Sequence, residues 1–292
     1  MTLGRRYNTN SIADATESLY DVCVIGAGVV GSSAAYSLSK TTNNVLLLEQ
    51  FPVPHTRGSS HGQSRIIRCL YPDHVYSKMT YDAFPIWKEV EKQFGETLLI
   101  ENGMLEIYNT SNKEDLKNYL SALDYVGVTY DILTGEEVNN KFPLFDVPKT
   151  FSGIYEHGGG MLIASKCVAA LQKVFVSNGG HFQDTTVVEQ IIPGETVTIK
   201  TNRGEFKAKS IIIAAGSFTS KLTNSLGLHL PLTVERTHPL YWKLDDPSSG
   251  MASNNFPSFI FSYNNKHRYG LASYEYPGYI KICDHIAYLS GH

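Results

Sequence analysis

The sequence predicts two kinds of architecture in one chain: an α/β part built on a parallel sheet and an α+β part rich in aromatic strands. Three observations predict this. A strand–glycine turn–helix–strand pattern opens the chain between Tyr20 and Gln50. A short aliphatic run far downstream, Ile211-Ile212-Ile213-Ala214-Ala215-Gly216, reads as a buried parallel strand. The stretches Lys88–Gly153 and Pro231 onward mix strand alternation with helical periodicity. The α/β character leaves and returns, which fits a discontinuous two-domain layout better than two consecutive domains.

The first βαβ unit carries Val24-Ile25-Gly26-Ala27-Gly28-Val29-Val30-Gly31, then Val45-Leu46-Leu47-Leu48-Glu49-Gln50. Gly26 allows a tight turn, Gly28 lets backbone approach a pyrophosphate, and Gly31 lets the helix lie close to the strand. A pyrophosphate on this turn meets free N–H groups at the helix N-terminus, where the helix dipole favours negative charge. Glu49 stands 18 residues past Gly31, near the spacing expected of the acid that binds a ribose hydroxyl. Together these are a dinucleotide-binding fingerprint.

Beyond it, a loop holds Pro52, Pro54, Gly58 and Gly62. Val75–Phe94 reads as a helix, with Tyr81, Phe84, Trp87 and Val90 at helical spacing. Leu98–Tyr108 reads as one strand and Lys113–Tyr125 as a helix. Thr134-Gly135-Glu136-Glu137 has the form of a helix start. Ser165–Val176 is an amphipathic helix ended by Asn178-Gly179-Gly180. Residues 187–192, 196–201 and 204–209 predict an antiparallel meander, and Ser217–Leu226 a helix. Short strands follow at 240–244, 258–263, 268–273 and 279–283.

The 292 residues allow one large or two medium domains. A net charge of -3 gives no electrostatic footprint for nucleic acid. No apolar run approaches the roughly 20 residues of a membrane helix. Residues 1–19 lack an apolar signal core and read as a tail; Asp14 and Glu17 argue against a transit peptide. Cys23, Cys69, Cys167 and Cys283 have no metal spacing, which predicts a reducing compartment, no disulfide framework and no metal.

The loop Pro54-His55-Thr56-Arg57-Gly58-Ser59-Ser60-His61-Gly62-Gln63-Ser64-Arg65-Ile66-Ile67-Arg68 narrows the class. Arginine gives a forked, permanently charged clamp for carboxylates and phosphates. At these residues the chain resembles the D-amino-acid-oxidase-type flavoproteins. More narrowly it resembles the monomeric sarcosine oxidase group, in its peroxisomal sarcosine/L-pipecolate oxidase branch. The resemblance continues through Gly159-Gly160-Met161, Ala214-Ala215-Gly216-Ser217-Phe218, Tyr269-Gly270 and Glu275-Tyr276-Pro277-Gly278-Tyr279-Ile280-Lys281. It spans about Leu19 to His285.

The resemblance implies a Rossmann-like FAD-binding domain over 19–85 and 154–228, after a tail over 1–18. It implies a discontinuous β-sheet substrate domain over 86–153 and 229–292. Arg68 is implied to bind a substrate carboxylate and Lys281 to sit over the flavin and speed reaction with oxygen. His61 and Arg65 are implied near the flavin ring, and Tyr269 and His285 in the substrate pocket. Gly26, Ala27, Gly28, Val29, Gly31, Glu49, Gln50, Ser59, Ser60, Arg65, Ile66, Val187, Ala215 and Gly216 are implied to touch FAD, Val187 at the adenine. Taken alone, Arg65 and Arg68 also read as surface residues of a polar loop, Lys281 as a strand-end lysine, and Tyr269 as a packing aromatic.

The implied reaction oxidises a secondary amino acid, sarcosine or L-pipecolate, to an imine and reduces O2 to H2O2. The implied partners are that small substrate and O2, with no nucleic acid or membrane, in a monomer. Location in the peroxisome is implied by relatives; without a Ser-Lys-Leu-type ending, the cytoplasm stays open. The family also carries a flavin-attaching cysteine in a Cys-Met-Tyr-Thr-type stretch and a Gly-Phe-Ser-Gly-His-Gly-Phe-Lys-type segment, and neither string occurs here. That departure predicts an incomplete FAD domain, surface open to association, weak or no flavin binding and little oxidase activity. A truncated product acting only by binding is therefore an alternative, as is a flavin-dependent amine dehydrogenase. A nicotinamide enzyme fits the glycines but not the loop that follows.

Overall fold

The computed structural model describes residues 18–109, 113–248, 250–251, 255–263, 266–274, 276–284 and 288–289, without the side chains of 113–115 and 288–289. The expected tail, Glu275 and His285 lie outside the described residues. The chain forms two compact units, residues 1–61 with 165–234, and residues 62–164 with 235–292. These boundaries differ from the sequence expectation at each crossing; the first falls inside the arginine loop, between His61 and Gly62.

The strands in chain order are β1 (Leu19–Ile25), β2 (Val45–Leu48), β3 (Arg65–Ile67), β4 (Leu99–Ile100), β5 (Met104–Asn109), β6 (Tyr130–Thr134), β7 (Phe151–Glu156), β8 (Gly160–Leu162) and β9 (His181–Gln183). They continue with β10 (Val188–Ile192), β11 (Val197–Thr201), β12 (Gly204–Ile213), β13 (Glu235–Arg236), β14 (Tyr241–Lys243), β15 (Ser258–Tyr263), β16 (Lys266–Ala272), β17 (Tyr279–Asp284) and β18 (Tyr288–Leu289). The α-helices are α1 (Val29–Leu38), α2 (His74–Phe94), α3 (Lys113–Val126), α4 (Gly135–Lys141), α5 (Ala164–Ser177) and α6 (Thr219–Asn224).

The first unit is α/β. Among the described residues its sheet has the order β10-β11-β12-β1-β2-β9. β1 runs parallel to β2 and β12. Alternation divides its core between two faces: Cys23, Ile25, Leu46 and Leu48 pack in one cluster, Val24, Val45 and Leu47 in another with Ala35 of α1 and Phe175 of α5. Both faces of β2 are buried, hence its unbroken Val-Leu-Leu-Leu.

The second unit holds a sheet ordered β14-β17-β16-β15-β5-β7-β6 and a smaller one ordered β3-β8-β4. Its helices are fixed at their ends by local caps. The Asp73 carboxylate accepts the Val75 N–H at 2.8 Å to start α2, and Gly95 at φ +82° ends it. Thr134 and Glu137 close a reciprocal capping box on α4.

Four expectations change. The single strand expected over 98–108 is two, β4 and β5, in different sheets; Gly103 at φ +79° breaks the run, and its N–H is donated to Gly159 O. The aliphatic run is the end of β12 and half-buried rather than buried. β11 pairs with β12 only over 204–208, so residues 209–213 have β1 as their paired neighbour among the described residues. The helix expected over 217–226 is a 3-10 turn, Gly216–Phe218, followed by the short α6. Strands β3, β6 to β9, β13 and β18 were not expected; each is six residues or shorter. No helix among the described residues is long and apolar enough to cross a membrane.

Candidate functional site

In the first unit the glycine turn is made by close backbone packing. Gly26 has φ +100°, and a Cβ there would stand 2.4 Å from Ala214 O. A Cβ on Gly31 would stand 1.8 Å from Gly26 O. No side chain fits either place, so α1 lies directly against the end of β1. Ala214 N–H, donated to Ile25 O at 2.8 Å, fixes the end of β12 beside the turn; Ala215 is half-buried there and Gly216 exposed at φ +55°. The first turn of α1 has no acidic residue to oppose an anion.

Glu49 does more than its spacing foretold. It is buried, and its Oε2 accepts the Ala27 N–H at 2.9 Å while Oε1 accepts the Phe51 N–H at 3.0 Å. The acid braces the turn; Oε1 also has His55 Nε2 at 3.5 Å, while Oε2 keeps lone-pair capacity for a further donor. Gln172 on α5 donates to Ala27 O at 2.9 Å, and Ser32 Oγ donates to the same oxygen at 3.0 Å. Neither residue was singled out from sequence; Gln172 lies far off in the chain, and Ser32 reads as an ordinary helix residue. Ser60 Oγ accepts the Val29 N–H at 2.9 Å, and the bare Gly28 makes room for it. Gln50 is half-buried and Ser59 exposed. Val187 donates its N–H to Asn202 Oδ1 at 2.8 Å, and its carbonyl accepts the Asn202 N–H at 3.2 Å. Its N–H is thus already engaged, which leaves the carbonyl's second lone pair for an outside donor. His61 is exposed, its Nδ1 3.3 Å from Gly58 O.

The second unit gathers a different set. Residues opposite one another across a sheet share a face. Through the pairs Met104↔Glu156, Glu106↔Ile260, Ile260↔Tyr269, Ser262↔His267, Tyr269↔Cys283 and Tyr241↔Lys281, one face of the large sheet carries Glu156, Glu106, Ser262, His267, Tyr269 and Lys281. The other face holds Leu105, Ile107, Phe259 and Ile280 in an apolar core.

Lys281 is buried, and its Nζ donates to Ser64 O at 3.2 Å and Ser64 Oγ at 3.3 Å. A buried ammonium is tolerable only with such partners. Arg65 is exposed and donates to the same Ser64 O at 2.8 Å, and Ile66 is half-buried in β3. Arg68 is half-buried: Nε donates to Leu70 O at 2.9 Å, and the guanidinium lies 4.4 Å from the Tyr71 ring centroid. Glu156 shapes this bend, since its carboxylate accepts the N–H groups of Cys69 and Leu70 at 2.9–3.0 Å. Burial raises the pKa of Glu156 and the backbone bonds and Arg68 oppose the rise. Burial, then Cys283, pushes the Tyr269 phenol up to about 12, against Arg65.

Sequence reasoning missed Ser64, Glu106, Glu156, Ser262 and His267. An acid inside the aliphatic strand Met104-Leu105-Glu106-Ile107 was the available signal. It reads as solvent-facing until the pairing partners are known.

Chains of established function share this organisation. A human peroxisomal sarcosine oxidase is 39% identical over 272 residues, covering 93% of this chain and 70% of the relative. A Bacillus monomeric sarcosine oxidase is 30% identical over 257 residues, covering 87% and 66%. The solved structure of NikD, an unusual amino acid oxidase essential for nikkomycin biosynthesis, matches with TM-score 0.78 at 21% identity, covering 94% of this chain and 72% of NikD. Glycine oxidase from Geobacillus kaustophilus matches with TM-score 0.72 at 18% identity, covering 93% and 72%; these two likenesses speak to fold. The family model for FAD dependent oxidoreductases (DAO) matches residues 21–284, from the first strand through the polar sheet face. The chain belongs to that family of oxidoreductases.

Proposed function

We propose that this chain oxidises a secondary amino acid, sarcosine or L-pipecolate, at the carbon next to nitrogen, yielding an imine that hydrolyses, with O2 reduced to H2O2. The observation that carries the reading is the polar sheet face of the second unit, where a buried lysine and a half-buried arginine stand in a chain that also has a dinucleotide turn. The turn fits FAD: Gly26 and Gly31 admit no side chain, and Glu49 keeps capacity for a ribose hydroxyl. Gly26, Ala27, Gly28, Val29 and Gly31 would line the pyrophosphate, although the Ala27 and Val29 N–H groups are already donated to Glu49 and Ser60, with Glu49 and Gln50 at the ribose. Ser59, Ser60, Arg65, Ile66, Val187, Ala215 and Gly216 would complete the contacts. When bound, FAD supplies the hydride-accepting chemistry.

The chain's own residues do the rest. Arg68 clamps the substrate carboxylate through its forked donors. Lys281 places a fixed positive charge where oxygen takes on negative charge, strongest with water excluded. Tyr269, protonated through the working pH range, donates a hydrogen bond. His61 and His285 complete the proposed set. The peroxisomal naming of the human and mouse relatives supports a peroxisomal setting, and the monomeric naming of bacterial relatives supports a monomer.

The test is sarcosine-dependent oxygen uptake and peroxide formation by the FAD-loaded chain. Lys281→Met is expected to slow oxygen uptake about tenfold or more while leaving anaerobic bleaching by sarcosine unchanged, about the effect of losing one well-placed charge. Bleaching without oxygen uptake in the native chain would instead mark an amine dehydrogenase.

A further inference from the structure

Glu106 is a buried carboxylate that the proposed reaction does not use. Its Oε1 accepts Ser262 Oγ at 2.5 Å, while Oε2 has no hydrogen-bond partner. Ser262 Oγ in turn lies 2.9 Å from His267 Nδ1, and His267 is exposed. A hydrogen-bonded chain thus links a buried acid to solvent across β5, β15 and β16. Glu156, diagonal to Glu106 across the β5–β7 pair, holds the N–H groups of Cys69 and Leu70, which brings the adjoining Arg68 to this side, and the Arg68 charge acts on Glu106. The other ionisable groups turned to this side include Tyr108 on β5, Tyr130 on β6, Glu156 on β7, Tyr241 on β14, His267 and Tyr269 on β16, and Lys281 and Cys283 on β17.

We propose that Glu106 is a positioning residue for Arg68. When Glu106 is protonated, Arg68 is available to a substrate carboxylate; when Glu106 is ionised, it engages Arg68 and repels that carboxylate. The inference rests on Arg68 being the carboxylate clamp. The proton balance is simple. Ser262 donates to Glu106 Oε1 and accepts from His267 Nδ1–H, so on protonation His267 Nδ1 passes its proton to Ser262 Oγ as Ser262 passes its own to Glu106 Oε1, and exposed His267 takes one from water at Nε2. Reversal ionises the acid.

Burial shifts the ionisation of Glu106 up to about 7, against the hydrogen bond from Ser262 and the charge of Arg68. The sign follows. As pH rises through neutrality Glu106 becomes an anion, and carboxylate affinity falls. Glu156 also feels Arg68, but both its oxygens are bonded to the Cys69 and Leu70 N–H groups, so it has less freedom to compete.

The test is calorimetric binding of propionate, a carboxylate without an amine, to the chain at pH 6 and pH 8.5. Native protein is expected to lose about tenfold in affinity across this interval, the change that accompanies one pKa unit of coupling. Glu106→Gln, nearly isosteric, is expected to bind at pH 8.5 as tightly as native protein does at pH 6. A merely structural role would not produce this gain. Ser262→Ala removes a donor from the carboxylate and is expected to move the midpoint of the loss to higher pH. Glu106→Gln that keeps the native pH slope would overturn the inference and leave the clamp reading intact. Binding unaffected by Arg68→Gln would overturn the clamp reading, and the inference with it.

Discussion

The two units carry chemistry in opposite ways. In the first, the site is made of backbone. Gly26 and Gly31 matter for the side chains they lack, and Glu49 acts on the N–H of Ala27. In the second, the site is made of side chains from β5, β7, β15, β16 and β17, joined by strand register. A backbone site is compact in sequence, because a turn is a local object. A side-chain site is scattered, because register is a non-local one. The first therefore tolerates no added atoms, while the second is open to exchange of one polar group for another.

The sharpest way to break this contrast is Gly31→Val. The new Cβ would fall 1.8 Å from Gly26 O and 3.2 Å from Ala214 Cβ, so the helix must move off the strand. A loss of about 3 kcal/mol is expected, with loss of flavin, read by denaturant unfolding and absorbance. Propionate binding by the second unit should survive in any population still folded. Equal loss in both would mean that the units do not act separately.

Next comes pH. Burial lifts Glu106 from its ordinary 4.5 to about 7, so the folded state favours the protonated acid. Its stabilising share is whole below pH 4.5 and is lost as pH rises through 7. Between pH 4 and pH 8 the stability of native protein should fall relative to Glu106→Gln by about 3 kcal/mol, measured from urea midpoints at each pH. A constant difference would contradict the assignment.

Glu156→Ala strips the buried N–H groups of Cys69 and Leu70 of their acceptor. About 2 kcal/mol is expected, together with weaker carboxylate binding, because the bend that carries Arg68 loosens. Unchanged binding would mean that Arg68 is placed by its contacts with Leu70 O and Tyr71 alone. The smallest effect belongs to Thr134→Ala, which removes the side-chain acceptor of the Glu137 N–H at the start of α4. About 1 kcal/mol is expected, with no change in ligand binding.

How much could be read beforehand follows the same line. The fingerprint was legible because Gly26, Gly28, Gly31 and Glu49 sit within one βαβ unit. Helix α2 was legible through the spacing of Tyr81, Phe84, Trp87 and Val90, and α4 through its start at Thr134 and Glu137. The split of 98–108 into two strands was not, because the short break Glu101-Asn102-Gly103 is flanked on both sides by strand-forming residues. The link between Glu106, Ser262 and His267 could not be read either. It needs the parallel pairing of β5 with β15 and the antiparallel pairing of β15 with β16, and no local pattern encodes either. The resemblance named Arg68 and Lys281, yet Ser64, which holds the Lys281 ammonium, passed as loop.

The most direct measurement is the visible absorption spectrum of the purified chain, before and after sarcosine is added without oxygen. The predicted result is a flavin spectrum that bleaches with sarcosine in the native chain and fails to bleach at the same concentration in Arg68→Gln. A folded chain that carries no flavin, or a flavin that sarcosine and L-pipecolate leave unchanged, would contradict the proposed function.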